Sequence, residues 1–462
     1  CQWGTQVSLG KFNGMFAFAL WNKETQQLTL ARDRFGEKPL YYGRIKNTFF
    51  FASELKSLVV HPDFHGKINC DVLALYLRHN YVPSPYSIYK DIFKLPAASY
   101  LSFSFLAEQT IPSPRCYWSI REVAQNGINA PIQESENELV ENLEVLLKDA
   151  VKLRMEADVP LGAFLSGGID SSTIVALMQT QSKHPVKTFT IGFHERAYNE
   201  AVEAKKIAKY LGTEHTELYV NPEDAIALIP TLPHIYDEPF ADVSQIPTCL
   251  VSKLARQAVT VSLSGDGGDE LFAGYSRYFM GDGIFKKLER IPKKGRQLLS
   301  WGLKNKSVPF FHLSTKIQRF AEVLLHEKTE TMYREMVSHV HHPSKIVLNA
   351  IEPDTIFNDP KQWINTPNFM QRMMYLDTLS YLPGDILTKV DRASMSVSLE
   401  SRIPFLDHHI AEFAWSVPMS MHVGQSEGKS LLRKVLYRYV PEKYFNRPKK
   451  GFGVPIGSWL TG

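Results

Sequence analysis

The reading of this chain turns on Phe164-Leu165-Ser166-Gly167-Gly168-Ile169-Asp170-Ser171-Ser172. An apolar run of strand type, Pro160–Leu165, precedes the glycines, and a helical pattern, Ser171–Thr180, follows them. Two adjacent glycines let the backbone turn tightly and approach a ligand closely. The hydroxyls of Ser166, Ser171 and Ser172 and the amides opening the helix converge on one place, which makes an anion cradle reinforced by the helix dipole. No lysine follows the glycines, so this is not the common phosphate loop that ends in Lys-Ser or Lys-Thr. Asp170 sits inside the cradle instead, and an aspartate facing phosphates needs an intervening cation, which points to Mg²⁺. The bland alternative is a serine-glycine turn with a helix cap. The complete strand–loop–helix string argues against it, where a bare Ser-Gly-Gly would not.

A second loop repeats the design. Val261-Ser262-Leu263 reads as a strand end, followed by Ser264-Gly265-Asp266-Gly267-Gly268-Asp269-Glu270. Gathering three acids in so few residues is unfavourable without a cation. Around the two loops, strand patterns (Thr188–Phe193, Thr216–Val220) alternate with helix patterns (Asn199–Leu211, Ile246–Ala258). That alternation predicts an α/β fold with a parallel, helix-covered sheet. Both loops then leave the carboxyl edge, where open α/β sheets bind ligands. Residues 280–462 read mainly as helix, with breaks at Pro309, Pro353, Pro383 and Pro404.

The first 120 residues read differently. Phe12–Trp21, Gln27–Arg32 and Phe49–Ala52 are β-type runs. The proline-serine cluster Ile111–Pro114 and the polar stretch Gln125–Asn137 mark a boundary, and a helix is expected from about Ser135 to Met155. The chain is 44% apolar and 22% charged, which excludes disordered and collagen-like classes. Its net charge of +4 is too small for a general nucleic-acid binder. None of the four cysteines (Cys1, Cys70, Cys116, Cys249) forms a C-x-x-C pair, so no zinc or redox framework is visible and a reducing, cytoplasmic setting is expected. No run of about 18 apolar residues predicts a membrane span. The chain opens at Cys1 without a methionine and stops shortly after a tryptophan, which suggests missing residues at both ends.

The quoted loops resemble the synthetase domain of glutamine-hydrolysing asparagine synthetases, members of the PP-loop ATP pyrophosphatases. Leu263–Tyr275 (LSGDGGDELFAGY), Leu399–Asp407 (LESRIPFLD) and Arg447–Phe452 (RPKKGF) resemble three further signatures of that family. Asn13–Leu20, Ala31–Tyr42 and Phe51–Lys56 resemble the later half of its glutaminase domain. The resemblance implies a partial β-rich glutaminase domain of the N-terminal-nucleophile type over 1–120, lacking its nucleophile. It implies a parallel-sheet PP-loop domain (adenine nucleotide alpha hydrolase-like) with a helical C-terminal part over 135–462. Cys1 is a decoy under this alignment, because the residues after it match the interior of the glutaminase domain.

The resemblance implies ATP contacts at Leu165, Ser166, Gly167, Gly168, Asp170, Ser171, Ser172, Ile191, Ser264 and Gly265. Asp170 and Asp269 would hold Mg²⁺. Asp266, Lys449 and Arg402 are the implied catalytic residues; Lys450 is read as a solvated charge, and Arg392 is a further cationic candidate. For each arginine a structural salt bridge, to Glu400 or Asp407, is an equal alternative. Asp266 stands where some members carry glutamate, one methylene longer. The segment Asp237–Ser244 is expected to line the acceptor pocket. The implied reaction amidates aspartate through an aspartyl-AMP anhydride and releases AMP and pyrophosphate, with glutamine or ammonia as nitrogen source; a homodimer is left open.

Other readings differ in observable ways. A β-lactam synthetase-like amide former would use the same loops on another carboxylate. A PP-loop enzyme of transfer RNA would want a basic groove and reactive cysteines, neither of which this composition offers. A non-catalytic module would not need intact loops.

Overall fold

The computed structural model describes residues 3–104, 111–195, 198–304, 329–424, 427–447, 453–454 and 456–461. Cys1, Lys449 and Lys450 lie outside the described residues. Among the described residues, the amino-terminal part holds seven strands in two antiparallel sheets. One is ordered β1 (Ala17–Asn22), β2 (Gln27–Arg32), β6 (Ser99–Ser104), β7 (Arg115–Cys116). The other is ordered β4 (Thr48–Ala52), β3 (Tyr41–Ile45), β5 (Ile92–Lys94). Leu28, Leu30, Tyr42, Leu101 and Phe103 fill the core between them. The β-rich expectation thus holds, with helices added at Thr5–Lys11, Leu55–Val59 and Cys70–His79, the last capped by the Asn69 side chain.

The remainder is built on a five-stranded parallel sheet ordered β10 (Glu214–Val220), β9 (Lys187–Phe193), β8 (Leu161–Phe164), β11 (Val261–Leu263), β12 (Glu400–Arg402). β9 is buried along nearly its whole length, as a central parallel strand covered on both faces must be. Helix α1 (Glu136–Met155) precedes the sheet. Its start is fixed by a reciprocal cap, Glu138 N–H to Ser135 Oγ at 3.4 Å and Ser135 N–H to the Glu138 carboxylate at 2.8 Å. Leu139, Leu143, Leu147 and Val151, at helical spacing, bury one stripe against the sheet's helices. Helices α2 (Ile169–Gln181), α3 (Ala201–Leu211) and α4 (Gln245–Arg256) connect the strands.

Strand order decides where ligands can bind. From β8 the chain moves outward through β9 to β10, then returns to the other side of β8 for β11. The loops after β8 and β11 therefore leave neighbouring strands in opposite senses, which opens a crevice at the carboxyl edge.

The carboxy-terminal part is mainly helical, as expected, and Glu400–Arg402 adds the edge strand β12. Three residues are too few to show a periodicity, so the pairing with β11 is what makes the strand. The polar boundary stretch also begins as helix, Ile120–Asn129, capped by Ser119. Its few apolar residues share one face, and Gly127 lets it approach closely: a Cβ there would lie 2.4 Å from the Trp415 carbonyl oxygen.

Candidate active site at the carboxyl edge of the parallel sheet

Strand β8 ends at Phe164, and Leu165 N–H still donates to Phe189 O at 2.9 Å, which carries the chain squarely to the sheet edge. Gly167 then adopts φ +77°, a left-handed conformation natural to glycine. Gly168 caps α2, and the loop closes on itself: Ser166 Oγ and Ser171 Oγ are 2.9 Å apart, and Ser166 N–H donates to Ser171 Oγ at 3.2 Å. Ser172 is fully buried beneath. Leu165, just past β8, and Ile191, inside β9 two residues before its end, are both buried, each 1% exposed.

The second loop lies directly on the first. A Cβ at Gly265 would sit 2.6 Å from Ser171 N, and one at Gly268 would sit 2.5 Å from Asp170 Oδ1. Only glycine permits so close an approach of two backbones. Gly267, at φ +84°, turns the loop into the short helix α5 (Gly268–Leu271), and Asp269 falls in its first turn. Asp170 and Asp269 meet on a single ammonium, that of Lys429: its Nζ contacts Asp170 Oδ2 and lies 2.6 Å from Asp269 Oδ1. Burial alone would lower the lysine, but the two carboxylates outweigh it and push the ammonium up to about 12.

A second charge cluster continues from Asp266. Ser264 Oγ–H donates to Asp266 Oδ2 at 2.5 Å. Burial raises the Asp266 carboxyl above its ordinary range although Lys389 opposes the shift. Lys389 Nζ holds Asp242 Oδ2 at 3.0 Å and donates to Ser244 Oγ at 2.8 Å. Asp385, desolvated and beside Asp242, keeps its proton well above the ordinary carboxylate range. Asp242, partly desolvated, is held below that range by Lys389 and by hydrogen bonds from Asp385 and Ser244. Asp242 and Asp385 also line a cavity of about 360 Å³ together with Ala241, Val243, Arg277 and Tyr381. Part of the expected acceptor segment, Asp237–Ser244, thus faces open space.

The structure brings together Leu165–Ser172, Ser264, Gly265, Asp266 and Asp269. Ile191 lies on the neighbouring strand β9, two residues before its end. Arg402 is engaged elsewhere: Nε meets Glu400 at 2.7 Å, and Nη1 donates to the Arg154 and Glu156 carbonyls at 3.0 and 2.6 Å. Those contacts are the structural alternative, and only its backbone oxygen reaches the site, accepting from Ser264 N–H at 2.9 Å. Arg392 likewise bridges Glu54 at 3.1 Å and the Ser53 carbonyl at 2.8 Å. The segment leading to Lys449 is anchored at the first loop, because Arg447 Nη2 donates to Gly167 O at 2.7 Å.

Sequence reasoning missed Lys429, Lys389 and Asp385. A faint signal existed for the first: Lys429 precedes helix α6 (Ser430–Tyr437), and a cation at a helix amino terminus opposes the dipole unless something else holds it there. Nothing local distinguishes the other two.

The family profile described as asparagine synthase matches residues 142–462, and the profile described as a glutamine amidotransferase domain matches residues 1–118. The chain is 34% identical over 464 residues to glutamine-hydrolyzing asparagine synthetase 1 of Bacillus subtilis, covering 98% of this chain and 70% of that protein. It is 33% identical over 469 residues to a putative glutamine-hydrolyzing asparagine synthetase of Mycobacterium tuberculosis, covering 99% and 69%. It is 43% identical over 274 residues to a putative glutamine-hydrolyzing asparagine synthetase 2 of Methanocaldococcus jannaschii, covering 59% of this chain and 51% of that protein.

Proposed function

The chain belongs to the asparagine synthase family, and from that premise we propose that it makes asparagine from aspartate at the expense of ATP. Residues 1–120 are taken as its glutaminase portion and 135–462 as its synthetase portion. The observation that carries the reading is the meeting of the two acid-bearing loops at the switch point of a parallel sheet.

Asp170 and Asp269 supply hard carboxylate oxygens around a position that already accommodates one cation, a donor set that fits Mg²⁺. Bound there, the metal would offset charge on the departing pyrophosphate. Ser166–Ser172 would cradle the β and γ phosphates through hydroxyls and helix-opening amides. The buried residues Leu165 and Ile191 would take the adenine, and Ser264 and Gly265 the neighbouring part of the nucleotide.

In the first step an oxygen of the aspartate side-chain carboxylate attacks the α-phosphorus. An O–P bond forms, the bond to pyrophosphate breaks, and a mixed anhydride with AMP results. Ammonia then attacks the activated carbonyl, a proton leaves the nitrogen, and AMP departs with the bonding pair. Positioning and fixed charge carry most of such a reaction. Asp266 is the candidate acceptor for the nitrogen's proton, its affinity for protons being raised by burial. Lys449 is the candidate cation at the reacting phosphate; Arg447, two residues before it, donates to the Gly167 carbonyl of the first loop at 2.7 Å. The acceptor amino acid would occupy the cavity beside Asp242 and Asp385, where the Asp242 carboxylate suits its α-ammonium.

The test is isotope exchange between pyrophosphate and ATP. Exchange should require both Mg²⁺ and aspartate, with ammonia converting aspartate to asparagine. Equal exchange without any amino acid would overturn the reading. A substrate panel in which another carboxylate outperforms aspartate would favour the β-lactam synthetase-like alternative.

A further inference from the structure

We propose that Lys429 is a resident counter-cation, occupying the metal position between the two acid-bearing loops until a magnesium nucleotide displaces it, so that the nucleotide-free protein takes up divalent cations poorly. The inference rests on the reading of Asp170 and Asp269 as metal ligands and adds a regulator to that site.

Geometry carries it. Lys429 Nζ touches both carboxylates and its side chain is 6% exposed, against 18% and 19% for Asp170 and Asp269. The lysine is therefore the most enclosed member of the trio. Gly274 clears its path, and Gly428 lets the backbone just before it pass close to Ala273. A Cβ at Gly274 would lie 2.1 Å from Lys429 Cε and 2.0 Å from Asp269 Oδ1, and a Cβ at Gly428 would lie 1.9 Å from Ala273 O. The backbone is fixed as well: Lys429 takes φ +64°, left-handed for a non-glycine residue, and its N–H donates to Phe272 O at 2.9 Å. A strained backbone, the Gly274 clearance and two ion pairs all converge on one ammonium, which is more than a surface salt bridge requires.

Competition follows from size and charge. A bound Mg²⁺ stands about 2.1 Å from its oxygens, so the ion and the ammonium cannot share the same carboxylate faces. A lysine stem of four methylenes can swing aside without moving its backbone. Displacing it separates a buried cation from two acids, which a lone divalent ion must do unaided. A nucleotide arriving with the ion brings its own phosphate contacts to the exchange. In the resting protein the lysine meanwhile holds the two loops in register.

The experiment is a Mn²⁺ titration without nucleotide, read by the electron paramagnetic resonance of free Mn²⁺, on wild type, Lys429→Met and Lys429→Arg. Lys429→Met should bind Mn²⁺ at least about tenfold tighter than wild type, and Asp170→Asn added to it should abolish the gain. Lys429→Arg, which keeps the cation, should stay as weak as wild type. Where methionine does not fold by circular dichroism, Lys429→Gln is measured in its place. Equal affinity in wild type and the charge-removing variant, still sensitive to Asp170→Asn, would overturn the role of Lys429 alone. Mn²⁺ binding indifferent to both Asp170→Asn and Asp269→Asn would overturn the metal reading beneath it, and this proposal with it.

Discussion

Asp170 and Lys429 are 259 positions apart, yet they share one contact. Each carboxylate at the loop crossing has its charge answered by a group from a distant segment, so single substitutions here should act on chemistry more than on fold. Asp269→Asn is expected to lower aspartate-dependent pyrophosphate exchange by on the order of 100-fold while leaving the circular dichroism spectrum unchanged. Lys389 differs, because it is a buried cation holding Asp242 and Ser244. Lys389→Met leaves acids without their partner, and a loss of about 3 kcal/mol in urea unfolding is expected. A midpoint unchanged from wild type would show that the fold does not depend on this lysine.

Among the elements, the loop–loop crossing depends on missing side chains. Gly265→Ala places a methyl 2.6 Å from Ser171 N, so the loops must part. Nucleotide binding, followed by calorimetry with a non-hydrolysable ATP analogue, should fall below detection. Helix α1 is tied to the C-terminal helices differently. Glu144 accepts from Lys148 at 2.6 Å and Arg438 at 2.5 Å, and also from the Tyr439 hydroxyl. Burial opposes its ionisation, but these donors prevail and hold the carboxyl down at about 2, below the usual 4.5. A depressed acid contributes stability that is present above the unfolded value and lost as pH falls toward the folded one. Glu144→Gln should therefore lower the melting temperature at pH 7, and the gap from wild type should close between pH 4.5 and 2. A gap independent of pH would assign the effect to packing.

On the scale of the whole molecule, buried ions stitch the amino-terminal sheets to the parallel-sheet body. Arg392, its side chain 2% exposed, reaches Glu54 at 3.1 Å and the Ser53 carbonyl at 2.8 Å. Lys38 meets Asp391 at 2.8 Å, Lys94 meets Glu238 at 2.5 Å, and Asn13 donates to Asp407 at 2.8 Å. Arg392→Met should loosen this seam by about 3 kcal/mol. In a calorimetric scan one unfolding peak should broaden or split in two, and a single sharp peak at the original temperature would show that the seam does not rest on this arginine. Among the described residues, no helix is long and apolar enough to cross a membrane.

Much of this was legible from the chain itself. Gln27–Arg32 was read as a strand and is one, and the helix expected from Ser135 spans Glu136–Met155. The two loops could be found because glycine, serine and aspartate act within a few residues of each other. β12 and the three missed residues could not, because their neighbours are set by pairing and packing across the fold. The sequence by itself determined the alternation of strands and helices and the cation-seeking character of both loops, since periodicity and short-range electrostatics are local. Only the tertiary structure decided that the two loops lie against each other, that an internal lysine stands between their acids, and that Arg402 turns to Glu400 and backbone carbonyls, because each depends on which remote segments the sheet order brings into contact.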